Sequence, residues 1–330
     1  MKAFVYTQYG PADVLQFTDI PKPAPADNEV LIEVYAASAN PIDWHLMRGK
    51  PVFVRLMGGG LLKPKHQVLG SDIAGRIEAV GSNVRQLQPG DEVFAGKGVG
   101  GFAEYASTTE ERLALKPANL SFEQAAAVPM AAITALQGLR DKGRIQPGHK
   151  VLIDGASGGV GTFAVQIAKS FGAEVTAVCS SGNVDIARSL GADHVIDYTR
   201  EDFTRSGQRY DLIFAPNAYR SIFDYRRSLS PNGIYVMAGG GSLQVLQTIL
   251  LGPLLSRIGR RKMCFVGAKI KKADLVLLKV LLEAGEIVPV IDRRYPFSGV
   301  PDALRYLENG HAQGKVVITF RRSNGIQQGF

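Results

Sequence analysis

The residues with the plainest chemical meaning are Asp154-Gly155-Ala156-Ser157-Gly158-Gly159-Val160-Gly161. They follow the apolar run Val151–Ile153 and open a helical pattern, so they read as a strand-to-helix turn. Such a turn can cradle phosphate. Gly158 lets the backbone approach a pyrophosphate, and Gly161 lets the helix pack on the strand. The helix N-terminus adds free N–H groups and a partial positive charge. Ala156 stands where the dinucleotide fingerprint has its first glycine, so the match is A-x-G-x-x-G. Without a ligand the same residues would form only a tight turn.

An acidic residue about 20 positions further on normally holds the adenosine ribose 2′-hydroxyl of NAD. Here that stretch reads Val178-Cys179-Ser180-Ser181-Gly182-Asn183, with no carboxylate to repel a 2′-phosphate. Ser180 and Ser181 can donate hydrogen bonds to such a phosphate, which favours NADPH over NADH. The bland alternative is that the serines merely end a strand.

These residues need a scaffold, and the pattern supplies one. From Lys150 strands and helices alternate. Strands are expected at 151–154, 174–179, 194–197, 211–215 and 233–238, with helices at 159–171, 184–190 and 221–228. This βαβ alternation predicts an α/β unit, a doubly wound parallel sheet covered on both faces. Residues 1 to about 122 read instead as strand and turn, with runs at Lys2–Tyr6, Glu29–Ala36, Ile73–Val80 and Asp91–Phe94. A small, irregular, barrel-like domain fits that spacing. Ser121 with Gln124 marks a helix start. The tail predicts helices near 273–284 and 300–309, a strand over Lys315–Phe320 that returns to the first domain, and a frayed end over Arg321–Phe330.

At 330 residues the chain is long enough for two domains. Apolar residues make up 45% and charged residues 21%, which argues against disorder or a coiled coil. No apolar run reaches the roughly 18 residues of a membrane span. The N-terminus MKAFVYTQYG has no continuous apolar stretch, so no signal peptide is expected. Cys179 and Cys264 form no CxxC and supply no disulfide framework, which points to a reduced cytoplasmic protein. The net charge of +8 is local. Between Tyr225 and Ala273 there are nine cations and no anion, and elsewhere the charges nearly balance. This is no coat for nucleic acid.

With these residues in view, the chain resembles the medium-chain dehydrogenase/reductase superfamily, in its zinc-independent quinone oxidoreductase branch. The marks are Asn40-Pro41-Ile42-Asp43, Leu69-Gly70-Ser71-Asp72-Ile73-Ala74-Gly75, Pro89-Gly90-Asp91-Glu92-Val93, Gly101-Phe102-Ala103-Glu104-Tyr105, the glycine loop, and Gly310-His311-Ala312-Gln313-Gly314-Lys315. It is similar in particular to chloroplast-envelope quinone oxidoreductase homologues and reticulon-4-interacting oxidoreductases. The resemblance implies a GroES-like β-rich catalytic domain over 1–122 and 268–330. It implies a Rossmann NADP-binding domain over 123–267, and a cleft between the two.

The resemblance also carries residue roles. Ser157, Gly158, Gly159 and Val160 are implied at the pyrophosphate. Ser180, Ser181 and Tyr198 are implied at the ribose phosphate, with Asn183 where many members have lysine. Asn217 and Ala238 would lie along the ribose and nicotinamide, and backbone near Cys264 and Val266 at the carboxamide. His311, Ala312, Gln313 and Lys315 would border the cleft. Asn40 and Thr134 would flank the nicotinamide as pocket candidates, with no general acid assigned. The zinc ligands of other members are missing, since residues 1–122 hold no cysteine and His45, His66 and Asp72 do not complete a set. His45 and His66 are expected in loops, and Asp72 in a tight turn.

A hydride donor without a metal suits acceptors that are already electrophilic, such as quinones and α,β-unsaturated carbonyls. Asn40, a backbone N–H or a water could polarise the acceptor oxygen. Two alternatives stay open: a non-catalytic NADPH-binding partner or sensor, and a broad NAD(P)-dependent alcohol dehydrogenase or carbonyl reductase. The apolar, basic segment 51–65 reads either as a cover for a lipophilic substrate or as a plain surface loop. Leu243–Lys272 is apolar and then basic. It suits packing in the core or in a homodimer, or peripheral contact with an anionic membrane.

Overall fold

The computed structural model describes residues 1–320 except 53 and 57–59. The tail expected over 321–330 and four positions of the 51–65 segment lie outside them. The first part of the chain forms β1 (Lys2–Val5), β2 (Gln16–Asp19), β3 (Glu29–Ala39), α1 (Pro41–Arg48), β4 (Asp72–Val80), β5 (Glu92–Gly96), β6 (Tyr105–Thr109) and β7 (Leu113–Leu115). The helices α2 (Phe122–Ala126) and α3 (Pro129–Leu136) follow. The Ser121–Gln124 capping box forms in both directions, at 3.2 and 3.0 Å, and starts α2 as expected. Pro129 then ends α2 and serves as the first residue of α3, where its missing N–H costs nothing.

The alternating part forms β8 (Lys150–Asp154), α4 (Gly159–Ser170), β9 (Glu174–Cys179), α5 (Val184–Ser189), β10 (His194–Asp197), β11 (Tyr210–Ala215), α6 (Ile222–Ser228) and β12 (Leu229–Met237). It continues with α7 (Ser242–Leu255) and β13 (Lys262–Phe265). The tail adds α8 (Lys272–Glu283), β14 (Ile291–Pro296), α9 (Val300–Glu308) and β15 (Lys315–Thr319).

Strands β8 to β13 make one parallel sheet in the order β10-β9-β8-β11-β12-β13. The order reverses at β8, and ligands of open α/β sheets bind at that switch point. The second sheet runs β14-β15-β3-β4-β5-β7, with β6 also on β3. β15 pairs antiparallel with β3, Val316 opposite Ala39, so the end of the chain returns to its beginning. The two sheets share a core: Ala36, Ala74 and Phe94 pack in one apolar cluster with Ala132, Val151 and Phe163.

Two expectations need correction. His45 lies in α1, not in a loop, because Asn40 and Asp43 form a capping box that starts a helix there. His66 is exposed in irregular backbone, as expected. Asp72 is the first residue of β4 and fully buried, not part of a tight turn, because its carboxylate collects donors from neighbouring elements. Strand β14, with exposed Arg293 and Arg294, gave no apolar alternation to read.

Candidate active site

The glycine loop sits between β8 and α4, at the switch point. Gly155 has φ +93°, which a side chain would strain. A Cβ on Gly161 would lie 2.0 Å from the Gly155 carbonyl oxygen, so only glycine lets α4 pack there. A Cβ on Gly158 would meet only that oxygen, at 3.6 Å, so this side of the loop is open to a ligand. Beyond it, the first turn of α4 leaves the N–H groups of Gly159 and Val160 without helical acceptors. An open face and unpaired donors suit a dinucleotide pyrophosphate. Asn217 comes to the loop, with its Cβ 3.0 Å from where a Gly155 Cβ would stand.

Asp154 enters the loop with its carboxylate accepting from Tyr225 Oη at 2.5 Å. Lost hydration pushes this carboxyl up to about 6, against the Tyr225 hydrogen bond and the charge of Arg220. The pairing anchors the loop to α6, and Tyr225 in turn stacks on Tyr235 of β12.

At the end of β9 the two serines divide. Ser181 Oγ donates to Asp197 Oδ2 at 2.5 Å and lies 3.0 Å from Thr199 Oγ1. Its hydroxyl proton is therefore used within the chain. Ser180 Oγ accepts from Asn183 Nδ2 at 2.9 Å and has no acceptor for its own proton among the described residues. Asn183 is 7% exposed, and its Oδ1 is buried with no partner. Tyr198 follows β10, donates its N–H to the Cys179 carbonyl, and is 55% exposed beside this corner.

The residues implied at the nicotinamide, Asn40 and Thr134, belong to a buried polar cluster. Asn40 Nδ2 donates to Asp72 Oδ2 at 2.9 Å and to the Ser38 carbonyl at 3.3 Å. Its Oδ1 accepts from Lys315 Nζ at 2.6 Å. The whole amide is thus spent inside the protein, and Asn40 is not free to polarise an acceptor oxygen. Thr134 Oγ1 donates to the Met130 carbonyl at 2.7 Å, one turn back in α3. Asp72 accepts further from Ser38 Oγ at 3.1 Å and Met130 N at 3.0 Å, which joins Asn40 to the helix carrying Thr134.

Asp43 accepts from Asn40 N, Gly70 N and Ser71 Oγ at 2.8–3.1 Å. Burial pushes its carboxyl up to about 7, while those bonds and the Asp72 charge pull in opposite directions. Asp43 therefore orders the loop from Gly70, as a carboxylate among three donors must.

Ala238, Cys264 and Val266 pack in the same apolar cluster as Ala156 and Val160 of the glycine loop. Ala238 and Val266 follow β12 and β13, held by Ala238 N to the Ala215 carbonyl and Val266 N to the Met237 carbonyl. Cys264, whose Sγ donates to the Tyr235 carbonyl at 3.4 Å, lines a cavity of about 310 Å³ with Asp141, Lys142, Arg144 and Ile234, which no glycine-loop residue lines. Gln313 N donates to Asp292 on β14, and exposed His311 and half-buried Ala312 lie on the same connection. Sequence reading had not assigned Asp197, Met130 or Tyr225. The pairings Ser181–Asp197 and Met130–Asp72 join residues with no shared motif.

The comparisons fit this architecture. The model described as alcohol dehydrogenase GroES-like domain matches residues 26–118, and that described as zinc-binding dehydrogenase matches 190–318. The tomato (Solanum lycopersicum) 2-methylene-furan-3-one reductase is 38% identical over 96% of this chain and 79% of its own length. The chain belongs to the medium-chain dehydrogenase/reductase superfamily, in its quinone oxidoreductase branch. An Arabidopsis thaliana protein named NADPH-dependent alkenal/one oxidoreductase, chloroplastic, is 36% identical to this oxidoreductase over the same shares. The solved quinone oxidoreductase from Coxiella burnetii superposes with a TM-score of 0.83 at 29% identity, covering 97% of this chain and 99% of that one. The cofactor of this oxidoreductase is a nicotinamide dinucleotide, for which the open glycine loop has the fit. Among the described residues no group of three His, Cys, Asp or Glu is placed to hold a metal ion, and no helix is long and apolar enough to cross a membrane.

Proposed function

We propose that this oxidoreductase transfers hydride from NADPH to quinones or α,β-unsaturated carbonyls without zinc. The observation that carries the reading is how the acceptor wall is occupied. Asp72 already faces the Lys315 ammonium at 3.6 Å and accepts three hydrogen bonds, so it is spent as a ligand for a cation. Asn40 and Thr134 have no donor left for an alkoxide or a carbonyl. Such a wall shapes and dries a pocket but activates little, which suits acceptors that are electrophilic already. The bound nicotinamide supplies the hydride. The chain orients the reactants, and the proton that follows comes from water.

NADPH is supported by Ser180, whose hydroxyl proton is free for a 2′-phosphate, and by the exposed Tyr198 beside it. Ser181 supports it less, being held by Asp197. Both cysteines are free thiols, which supports a reducing compartment, in our reading the cytoplasm. The test is stopped-flow absorbance of NADPH or NADH mixed with a quinone, an enone and a simple ketone. NADPH oxidation with quinone or enone alone is the expected result. Tight NADPH binding with no turnover would instead support a sensor protein, and turnover of the ketone a carbonyl reductase.

We also propose a homodimer. Leu243, Leu246, Ile249, Leu250 and Leu254 are exposed on α7 beside β13, the open edge of the parallel sheet. One two-fold contact would cover both the apolar face and the strand edge. Analytical ultracentrifugation is expected to find a dimer, and a monomer for Leu250→Asp. A monomeric wild type that sediments with anionic vesicles would assign the face to a membrane instead, through its flank Arg257, Arg260, Arg261 and Lys262.

A further inference from the structure

Lys315 begins β15 and is 3% exposed. A buried ammonium is costly unless it is held by partners. Its partners come from three parts of the chain. Nζ donates to Asn40 Oδ1 at 2.6 Å, at the entrance to α1. It faces Asp72 at 3.6 Å, at the start of β4, and Asp72 is bonded to the first turn of α3. Its stem packs on the glycine loop, where a Cβ on Gly159 would lie 3.0 Å from Lys315 Cδ and 3.3 Å from the Gly314 carbonyl oxygen. Burial pulls the ammonium below its ordinary range, while Asp72 and Asp43 hold it up.

We propose that Lys315 is a positioning residue for hydride transfer, holding the Asn40 wall of the cleft in register with the glycine loop. The proposal rests on the reductase reading above. The loop fixes the phosphates of the cofactor, and the Asn40 wall bounds the space where the acceptor must sit. A side chain that touches both sets the distance between them. Misplacing reactants by an ångström costs on the order of 100-fold in rate. The side of the loop that Lys315 touches is the Gly159 Cα side, so the phosphate-facing N–H groups persist without it. Its loss should therefore act on the transfer step far more than on cofactor affinity.

The experiment compares full-length wild type, Lys315→Met and Lys315→Arg. NADPH affinity is read by nicotinamide fluorescence, single-turnover hydride transfer to benzoquinone by stopped flow, and the folded fraction by thermal melting. Lys315→Met is expected to transfer hydride roughly 30- to 100-fold more slowly per folded molecule, in line with a small misplacement. Its NADPH affinity should stay close to that of wild type, and Lys315→Arg should recover much of the rate. If Lys315→Met does not fold, Asn40→Ala removes the same contact without stranding a charge. It should show the same split between rate and affinity. A folded Lys315→Met or Asn40→Ala with the wild-type rate overturns the positioning role alone. A wild type that binds NADPH but does not oxidise it with any quinone or enone overturns the reductase reading, and this proposal with it.

Discussion

Gly161→Ala is expected to abolish measurable cofactor binding and to lower the melting temperature. The added Cβ would stand 2.0 Å from the Gly155 carbonyl oxygen and 2.8 Å from two backbone atoms of Ala156. These are main-chain atoms, so no side-chain rotation relieves the clash. Helix α4 must move off β8, or the loop must deform, and overpacking of this kind costs about 1–3 kcal/mol or more. Either movement re-aims the N–H groups that would hold the pyrophosphate. An affinity loss of at least about 100-fold follows, near 2.8 kcal/mol at 1.4 kcal/mol per tenfold.

Gly158→Ala is the control. Its Cβ would make only an ordinary contact at 3.6 Å, and its φ of −78° suits any residue. Its melting temperature should match wild type, and any loss of NADPH affinity would then report the close approach of the phosphates. Fluorescence titration and melting curves on both variants decide the matter. A Gly161→Ala protein with wild-type affinity would mean that the loop does not bind the cofactor.

The second large effect is expected at Asp72. Asp72→Ala leaves the Lys315 ammonium buried without its carboxylate and removes the acceptor from Met130 N, Ser38 and Asn40. Breaking one side of a buried ion pair costs about 3–5 kcal/mol. The double variant Asp72→Ala with Lys315→Met should cost clearly less than the two single losses added, because no charge is then stranded. Denaturant unfolding of the four proteins measures this coupling. A loss at Asp72 below about 1 kcal/mol, the size of a surface pair, would show that the cluster does not hold the wall.

Local sequence determined the frame. A-x-G-x-x-G after an apolar run is a local constraint, since its last glycine answers a contact within the same turn. Gly161 meets Gly155, six residues back. The βαβ alternation and the Ser121–Gln124 box are equally local, and each appears in the structure where the sequence put it. What the sequence left undecided was how those pieces meet. Asn40 and Lys315 are 275 residues apart, and their contact exists because β15 pairs with β3. By type alone Asn40 is a good donor to an acceptor oxygen. Only the tertiary structure spends its amide on Asp72, Ser38 and Lys315. By type Ser180 and Ser181 are equivalent, and they differ because Asp197, on the neighbouring strand, reaches one of them. Helix starts, strands and glycine turns follow from forces within a few residues. The availability of a polar group depends on which distant partner claims it first, and that was decided by the fold.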